Sequence, residues 1–325
     1  MSDPLPNVYQ VIERHRAALL AREQAQTQAM ADHWMTVERA LDGEMTALAY
    51  EVEAAGLRPE DVPRLTRYQR LMGQVQTELQ QYADYAEGVV ASAQSQWAQQ
   101  ALFDAQGAII VSGVTNFDML NVEAVQAMAG LAGDDSPLYA LLTEAYGDSR
   151  DGVIDALIQG VGLGWGPSKT VTAMRNGLAH GLGRMMNIAR TEQMRVYRES
   201  QRQAYIASGV VSGFMRMCAH DGRVCAACLA SEGERFTLAQ HLYDHPQGRC
   251  TAIPIIAGQQ PIEWPKGGEW FATQDEATQL SILGPGKLEL WQRGGFDFAD
   301  LAVQTNDERW GLGLRPATLR ELARA

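Results

Sequence analysis

The chain has 325 residues, 46% hydrophobic and 20% charged, with a formal net charge of −12. That is ordinary for a folded soluble protein of up to two domains, and its acidity argues against a surface that wraps nucleic acid, though not against a local basic patch. Four cysteines confined to one motif point to a metal site in a reducing compartment rather than a disulfide scaffold. No N-terminal stretch joins a basic start, an apolar run and a cleavage site, and no apolar run reaches the length of a membrane span, so we expect folding in a cytoplasm.

Residues 1–6 hold two prolines and read as a loose arm. From Val8 the sequence turns helical. Trp34, Val37, Leu41, Met45, Leu48 and Val52 recur at three- and four-residue steps, which is one face of a helix. Gly56 is a stop signal and Pro59 helps start the next element. Leu65, Tyr68, Met72, Val75, Leu79, Tyr82, Ala86 and Val89 then form a heptad seam. The expectation is two long helices over 8–104, paired as an antiparallel hairpin. Such a hairpin is either a helical core of its own or an arm that packs on partner subunits.

Ala105 to Thr115, with Gly107-Ala-Ile-Ile-Val-Ser-Gly113, reads as a short β-like or loop passage. Shorter helices are expected near 120–131, 136–147 and 149–160, with breaks at Gly133-Asp134-Asp135 and Gly147-Asp148. The glycine-rich 160–167 followed by Ser168-Lys169-Thr170 looks like a phosphate loop. It lacks glycine at Leu163 and Ser168, where that pattern needs it, so we read a plain loop in which Pro167 starts a helix. From Arg175 to Arg223 there are eight arginines against Glu192, Glu199 and Asp221, a local balance of +5. Arg175, Arg184, Arg195, Arg198 and Arg202 are therefore candidates for a DNA or partner contact. The alternative is a solvated face with internal ion pairs, such as Arg195–Glu199.

Residues 218–254 carry all four cysteines and three of the six histidines. Cys225 and Cys228 form a C-x-x-C, so both thiolates can reach one ion from a tight turn, and a later His and Cys can close a tetrahedron. Cys225, Cys228, His245 and Cys250 are the expected zinc ligands, with His241 or Cys218 as substitutes. Four protein ligands would make the ion structural, supplying folding energy to a small unit. Buried free cysteines with ordinary loop histidines, or disulfides or redox chemistry at the C-x-x-C, are the alternatives, although no βαβ pattern surrounds the motif. Val210 to Cys218, Glu234 to Thr237 and Cys250 to Ile255 read as strands, with a hairpin-type turn at Asp221-Gly222 that Asp221 and Arg223 cap or pair across.

The order Asp221-x-Arg223-x-Cys225-x-x-Cys228, Gly233, then His245-Pro246-x-x-Arg249-Cys250-x-x-x-Pro254 resembles the C-terminal module of the phage head morphogenesis proteins. These are the minor head proteins similar to protein F of phage Mu and the portal-associated minor protein of SPP1-like phages. Ile188-Ala189-Arg190-Thr191-Glu192 looks like the helix that precedes the module in that family. The likeness covers Pro167 to Pro254, about a quarter of the chain. It departs at Gly248, where the family usually has a cysteine, which shifts weight onto His245. Arg190 and Glu192 belong to this signature. Two residues apart on a helix they point to different sides, so we expect them, with Thr191 between, to tie the helix to the module rather than act as a catalytic pair.

The tail from Gln259 mixes prolines, glycines and aromatics, including Trp264, Trp270, Phe271, Trp291, Phe296, Phe298 and Trp310. We expect it to lie on another surface rather than build its own core. A helix over 279–294 is broken at 283–287, and 298–301 and 317–323 are short amphipathic pieces.

The fold expected is mainly α with a small β module (α+β). Residues 1–105 form the hairpin or arm, 106–207 a helical domain, 208–258 the Cys/His-pinned β unit, and 259–325 the tail. The resemblance implies a structural minor head protein, not an enzyme. It would bind the portal protein and inner capsid or scaffold, touch packaged double-stranded DNA, and assist head assembly, DNA packaging or ejection. It would reside in the virion near the portal vertex, with no membrane contact before ejection. The competing classes are a zinc-dependent nuclease or toxin-like hydrolase, for which His220-Asp221 would be the residues to watch, and a free-standing DNA-binding zinc module.

Overall fold

The computed structural model describes residues 7–121, 137–307 and 311–323. It is mainly α with a small β module, as expected. Helix α1 spans Val8–Ala55, and α2 spans Thr66–Val111 after a 3₁₀ turn at Pro59–Arg64. The expected face of α1 is buried from Trp34 to Val52. The helix ends where Gly56, at φ +57, lets Leu57 N–H return to the Val52 carbonyl at 3.3 Å. The two helices run antiparallel: Tyr82 donates to the Met30 carbonyl (3.1 Å) and Gln74 to that of Ala40 (3.0 Å). The buried seam of α2 runs Leu71, Val75, Leu79, Tyr82, Ala86, Val90, so Leu71 and Val90 take the places expected for Met72 and Val89. Those two are only half-buried, on the flank of the stripe.

The β-like passage expected at Ala105 to Thr115 is helical as far as Val111. Leu102, Ala105, Ala108 and Ile109 are fully buried and continue the three-four rhythm, so packing overrides the β-branched preference of the Ile-Ile-Val run. The break expected at Gly147-Asp148 is also absent: α3 runs unbroken through Pro137–Gly162. Ala145, Ser149, Val153 and Leu157, four residues apart, are all buried, which outweighs the roughly 1 kcal/mol cost of a helical glycine. The helix expected at 120–131 lies almost wholly outside the described residues.

Helix α4, Pro167–Ala207, starts at the predicted proline and returns along α3. Their contact is built on small residues. A Cβ on Gly152 would strike the Gly177 backbone at 2.6 Å, one on Gly160 the Thr170 hydroxyl at 2.7 Å, and one on Gly181 would overlap Ser149. Backbones approach this closely only where side chains are missing.

Strand β1 (Val211–Met217) lies between β2 (Arg235–Thr237) and β3 (Thr251–Ile256), both antiparallel to it. A five-residue helix, α5 (Ala226–Ala230), separates β1 from β2. Met215, Met217 and Ile253 pack with Val8, Ile12, Ala108 and Trp264. The tail follows as α6 (Gly267–Ala272), α7 (Glu276–Leu283), α8 (Pro285–Gln292), a 3₁₀ turn (Phe298–Leu301), β4 (Ala302–Asp307), β5 (Gly311–Pro316) and α9 (Leu319–Leu322). The break at 283–287 and the short pieces at 298–301 and 319–322 match expectation; the β4–β5 hairpin does not appear in the sequence reading. The tail also builds a core of its own, since buried Phe271 meets Trp291 and Phe298, each at 5.1 Å between centroids. Trp310 lies outside the described residues.

By packing, the described residues within 1–19, 95–130 and 193–325 form one compact unit, and those within 20–94 and 131–192 a second. Among the described residues, no helix is long and apolar enough to cross a membrane.

Candidate metal centre

Three pieces of backbone bring the cysteines together. Strand β1 delivers Cys218 at its end. The chain then turns at Asp221, whose carbonyl accepts Val224 N–H (3.1 Å) and whose carboxylate accepts Arg223 N–H (2.9 Å). This turn leads into α5 rather than into a hairpin partner. Cys225 precedes α5 and Cys228 lies inside it, one helical turn apart and so on the same side. The 238–250 loop then brings Asp244 and His245 across, with a tight turn closed by Gly248 N–H on the His245 carbonyl (2.9 Å), and Cys250 enters β3. Asp221 also takes a two-pronged ion pair from Arg249 at 2.6 and 2.8 Å, which ties the two ends of the motif.

The expected residues gather as two overlapping sets. The ligand atoms of Cys225, Cys228 and His245 all lie within 4.8 Å of one another, as do those of Cys228, Asp244 and Cys250. Cys228 belongs to both. All four cysteines are free thiols, and only Cys225 is not buried. Cys218 Sγ lies 3.7 Å from Cys250 Sγ. The cluster could hold a metal ion.

Three observations test that fit. His245 donates Nδ1–H to the Pro246 carbonyl at 2.7 Å, which leaves Nε2 as the nitrogen that a metal ion would take in place of its proton. Charge is divided within the cluster: hydrogen bonding from Cys228, reinforced by His245 against the effect of burial, holds the Cys225 thiol down at about 4, while hydrogen bonding with Cys225 and Cys250, together with burial, pushes the Cys228 thiol up. Burial disfavours protonated His245, but the adjoining Cys225 and Asp244 raise it to about 9. Finally, two guanidiniums offset the negative charge. Arg198 donates to Asp244 Oδ2 (2.6 Å) and to the Gly248 (2.7 Å) and Cys250 (2.9 Å) carbonyls. Arg216 is wholly buried, its Nη1 has no hydrogen-bond partner, and the field of Cys250, Asp244, Cys228 and Cys218 keeps it protonated against burial. A buried guanidinium is tolerated only beside negative charge.

The remaining candidates fall elsewhere. Exposed His241 pairs with Glu199 (2.9 Å). His220 uses both ring nitrogens, with Glu232 at 2.5 Å and Tyr9 at 3.2 Å, and stacks on Trp270. Arg190 pairs with Glu23 of α1, Thr191 donates to the Asn187 carbonyl (2.7 Å), and Glu192 is buried. Arg175 pairs with Asp42, and Arg184 with Glu144 and Asp148. Arg202 binds Glu199 and the Leu238 carbonyl (2.6 Å), and Arg195 is exposed. Of these arginines, Arg198 and Arg202 fasten α4 to the cysteine loop. Asp244 and Arg216 carried no signal in the sequence beyond their nearness to His245 and Cys218.

A cavity of about 490 Å³ borders the cluster, with Cys225, Asp244 and His245 on one side and Thr305, Asn306, Asp307 and Arg315 of β4–β5 on the other. No family model, curated protein or solved structure matches this chain.

Proposed function

We propose that this chain is a phage minor head protein, a structural component that binds the portal and inner capsid and assists head assembly, DNA packaging or ejection. The observation that carries it is the motif itself. Asp221, Cys225, Cys228, His245, Arg249 and Cys250, spread over thirty residues, converge on one centre in which Asp221 and Arg249 pair. In this reading the ion is zinc, held by Cys225, Cys228 and His245 with a fourth ligand, and its role is structural: it would cross-link α5 to the 238–250 loop. The long α1–α2 hairpin offers contact area for neighbouring subunits. Ion pairing of Arg175, Arg184, Arg190 and Arg202 with acidic side chains favours a protein partner over a DNA-lining face.

The test is mass spectrometry of purified particles from the source phage or induced strain, before and after mild stripping of the capsid. Peptides that persist with the portal fraction are expected; their absence from full particles and assembly intermediates alike would overturn the reading. A hydrolytic role has one observation in its favour, the cavity on which Cys225 and His245 border. It predicts zinc-dependent cleavage of DNA or another substrate that Cys225→Ser abolishes.

A further inference from the structure

We propose that Asp244, rather than Cys250, completes the metal's ligand set with Cys225, Cys228 and His245. This rests on the zinc centre proposed above. In a tetrahedral zinc site, Zn–S near 2.3 Å and Zn–N or Zn–O near 2.0–2.2 Å place neighbouring ligand atoms roughly 3.3–3.8 Å apart, the longest where both are sulfur. Asp244 Oδ1 lies 3.4 Å from Cys228 Sγ and 3.7 Å from His245 Nε2. It therefore stands at the spacing of a shared vertex with two of the three other ligands. Asp244 and Cys250 share the second set with Cys228; Asp244 also reaches His245 of the first set, whereas Cys250 has Cys218 at 3.7 Å.

The carboxylate is also held as a ligand is held. Its side chain is 1% exposed. Oδ2 takes Arg198 Nη2 at 2.6 Å and the Cys250 N–H at 3.3 Å, and Oδ1 takes the His245 N–H at 2.9 Å. Oδ1 also faces the Cys228 thiol at 3.4 Å and His245 Nε2 at 3.7 Å, the two groups with which it would share an ion. Ligating carboxylates are oriented by such hydrogen bonds.

Gly248 explains why the carboxylate fits. A Cβ at 248 would overlap Cγ and both oxygens of Asp244. The missing side chain leaves a space that Asp244 fills, so a residue with a side chain at 248 and a carboxylate at 244 are mutually exclusive. An oxygen ligand then stands in this chain where a side chain from position 248 would otherwise point.

The decisive experiment is X-ray absorption at the zinc edge on the full-length protein loaded with zinc alone, alongside metal counting. The expected result is one zinc per chain with two sulfur and two nitrogen or oxygen neighbours. Cys250→Ser should keep both the stoichiometry and the two-sulfur shell. Asp244→Ala should weaken zinc binding by more than the ~10–100-fold that loss of an outer-shell partner causes. Adding Gly248→Cys to Asp244→Ala should restore binding and raise the sulfur count to three, whereas Gly248→Cys alone should weaken it by clashing with Asp244. A three-sulfur shell in the unaltered protein that drops to two in Cys250→Ser would overturn the role of Asp244 and leave the zinc centre standing. A folded protein that binds no zinc would overturn both.

Discussion

The α3–α4 pair and the cysteine module solve the same problem, close approach of two chain segments, by opposite means. Along α3–α4 the approach comes from absence: Gly152 faces Gly177, and Ser149 lies against Gly181, so the helices touch backbone to backbone. In the module it comes from accumulated polar chemistry: four thiols, Asp244, His245 and two arginines share one small volume. The first is tolerant of solvent conditions and intolerant of added atoms. The second is the reverse, because its charges must be balanced and, with a metal bound as proposed, its ligands deprotonated.

The largest effect should come from metal removal. With zinc bound as proposed, a strong chelator is expected to destabilise the unit containing residues 193–325 by several kcal/mol or more, structural zinc contributing on the order of 10 kcal/mol in zinc-finger peptides, and leave the helical unit folded. Hydrogen exchange would show it: amides of β1, α5 and β3 should lose protection while those of residues 30–90 keep theirs. Equal loss in both would break the distinction between the regions. Next comes the hairpin core. Leu41 is fully buried, and Leu41→Ala should cost about 2–5 kcal/mol in denaturant unfolding, with zinc affinity unchanged.

Gly152→Ala should cost about 1–3 kcal/mol, because the added methyl meets the Gly177 backbone, which cannot move aside as a side chain can. Gly147→Ala, whose Cβ would meet open space, is the control and should be neutral or stabilising. The smallest effect concerns pH. Burial would raise the Asp221 carboxyl, but hydrogen bonds from Arg249 and the Arg223 N–H hold it below its ordinary 3.8. A depressed carboxyl contributes stability that is present above its unfolded value and is lost as pH falls through its folded one. Asp221→Asn should therefore cost about 0.5–1 kcal/mol at pH 7, given its partial exposure, and less at an acid pH below 3.8. Denaturant midpoints at the two pH values would check this.

Much of the helical part was legible. Trp34 to Val52 and the rhythm of α2 are periodic enough to name the buried faces, and Gly56 and Pro167 mark real ends. The errors came where one residue type was weighed without its neighbours. Ile109 and Val111 suggested a strand, and Gly147 a break, but burial of Ala108, Ala145 and Ser149 carried both helices through. The β4–β5 hairpin was missed because its strands, such as Gly311-Leu-Gly-Leu-Arg-Pro316, lack a run of β-formers.

At the centre, chain order alone was enough to nominate Cys225, Cys228, His245 and Cys250, since the C-x-x-C spacing is local and chemically restrictive. What lies beside what was decided by folding. Asp244 and Arg216 are separated by 28 positions in sequence and meet because β1 and the 238–250 loop converge. The gap that admits the Asp244 carboxylate is visible only once Gly248 has a direction in space. Periodicity and spacing are properties of neighbours along the chain; ligand competition and charge balance are properties of neighbours in volume, which only the tertiary structure brings together.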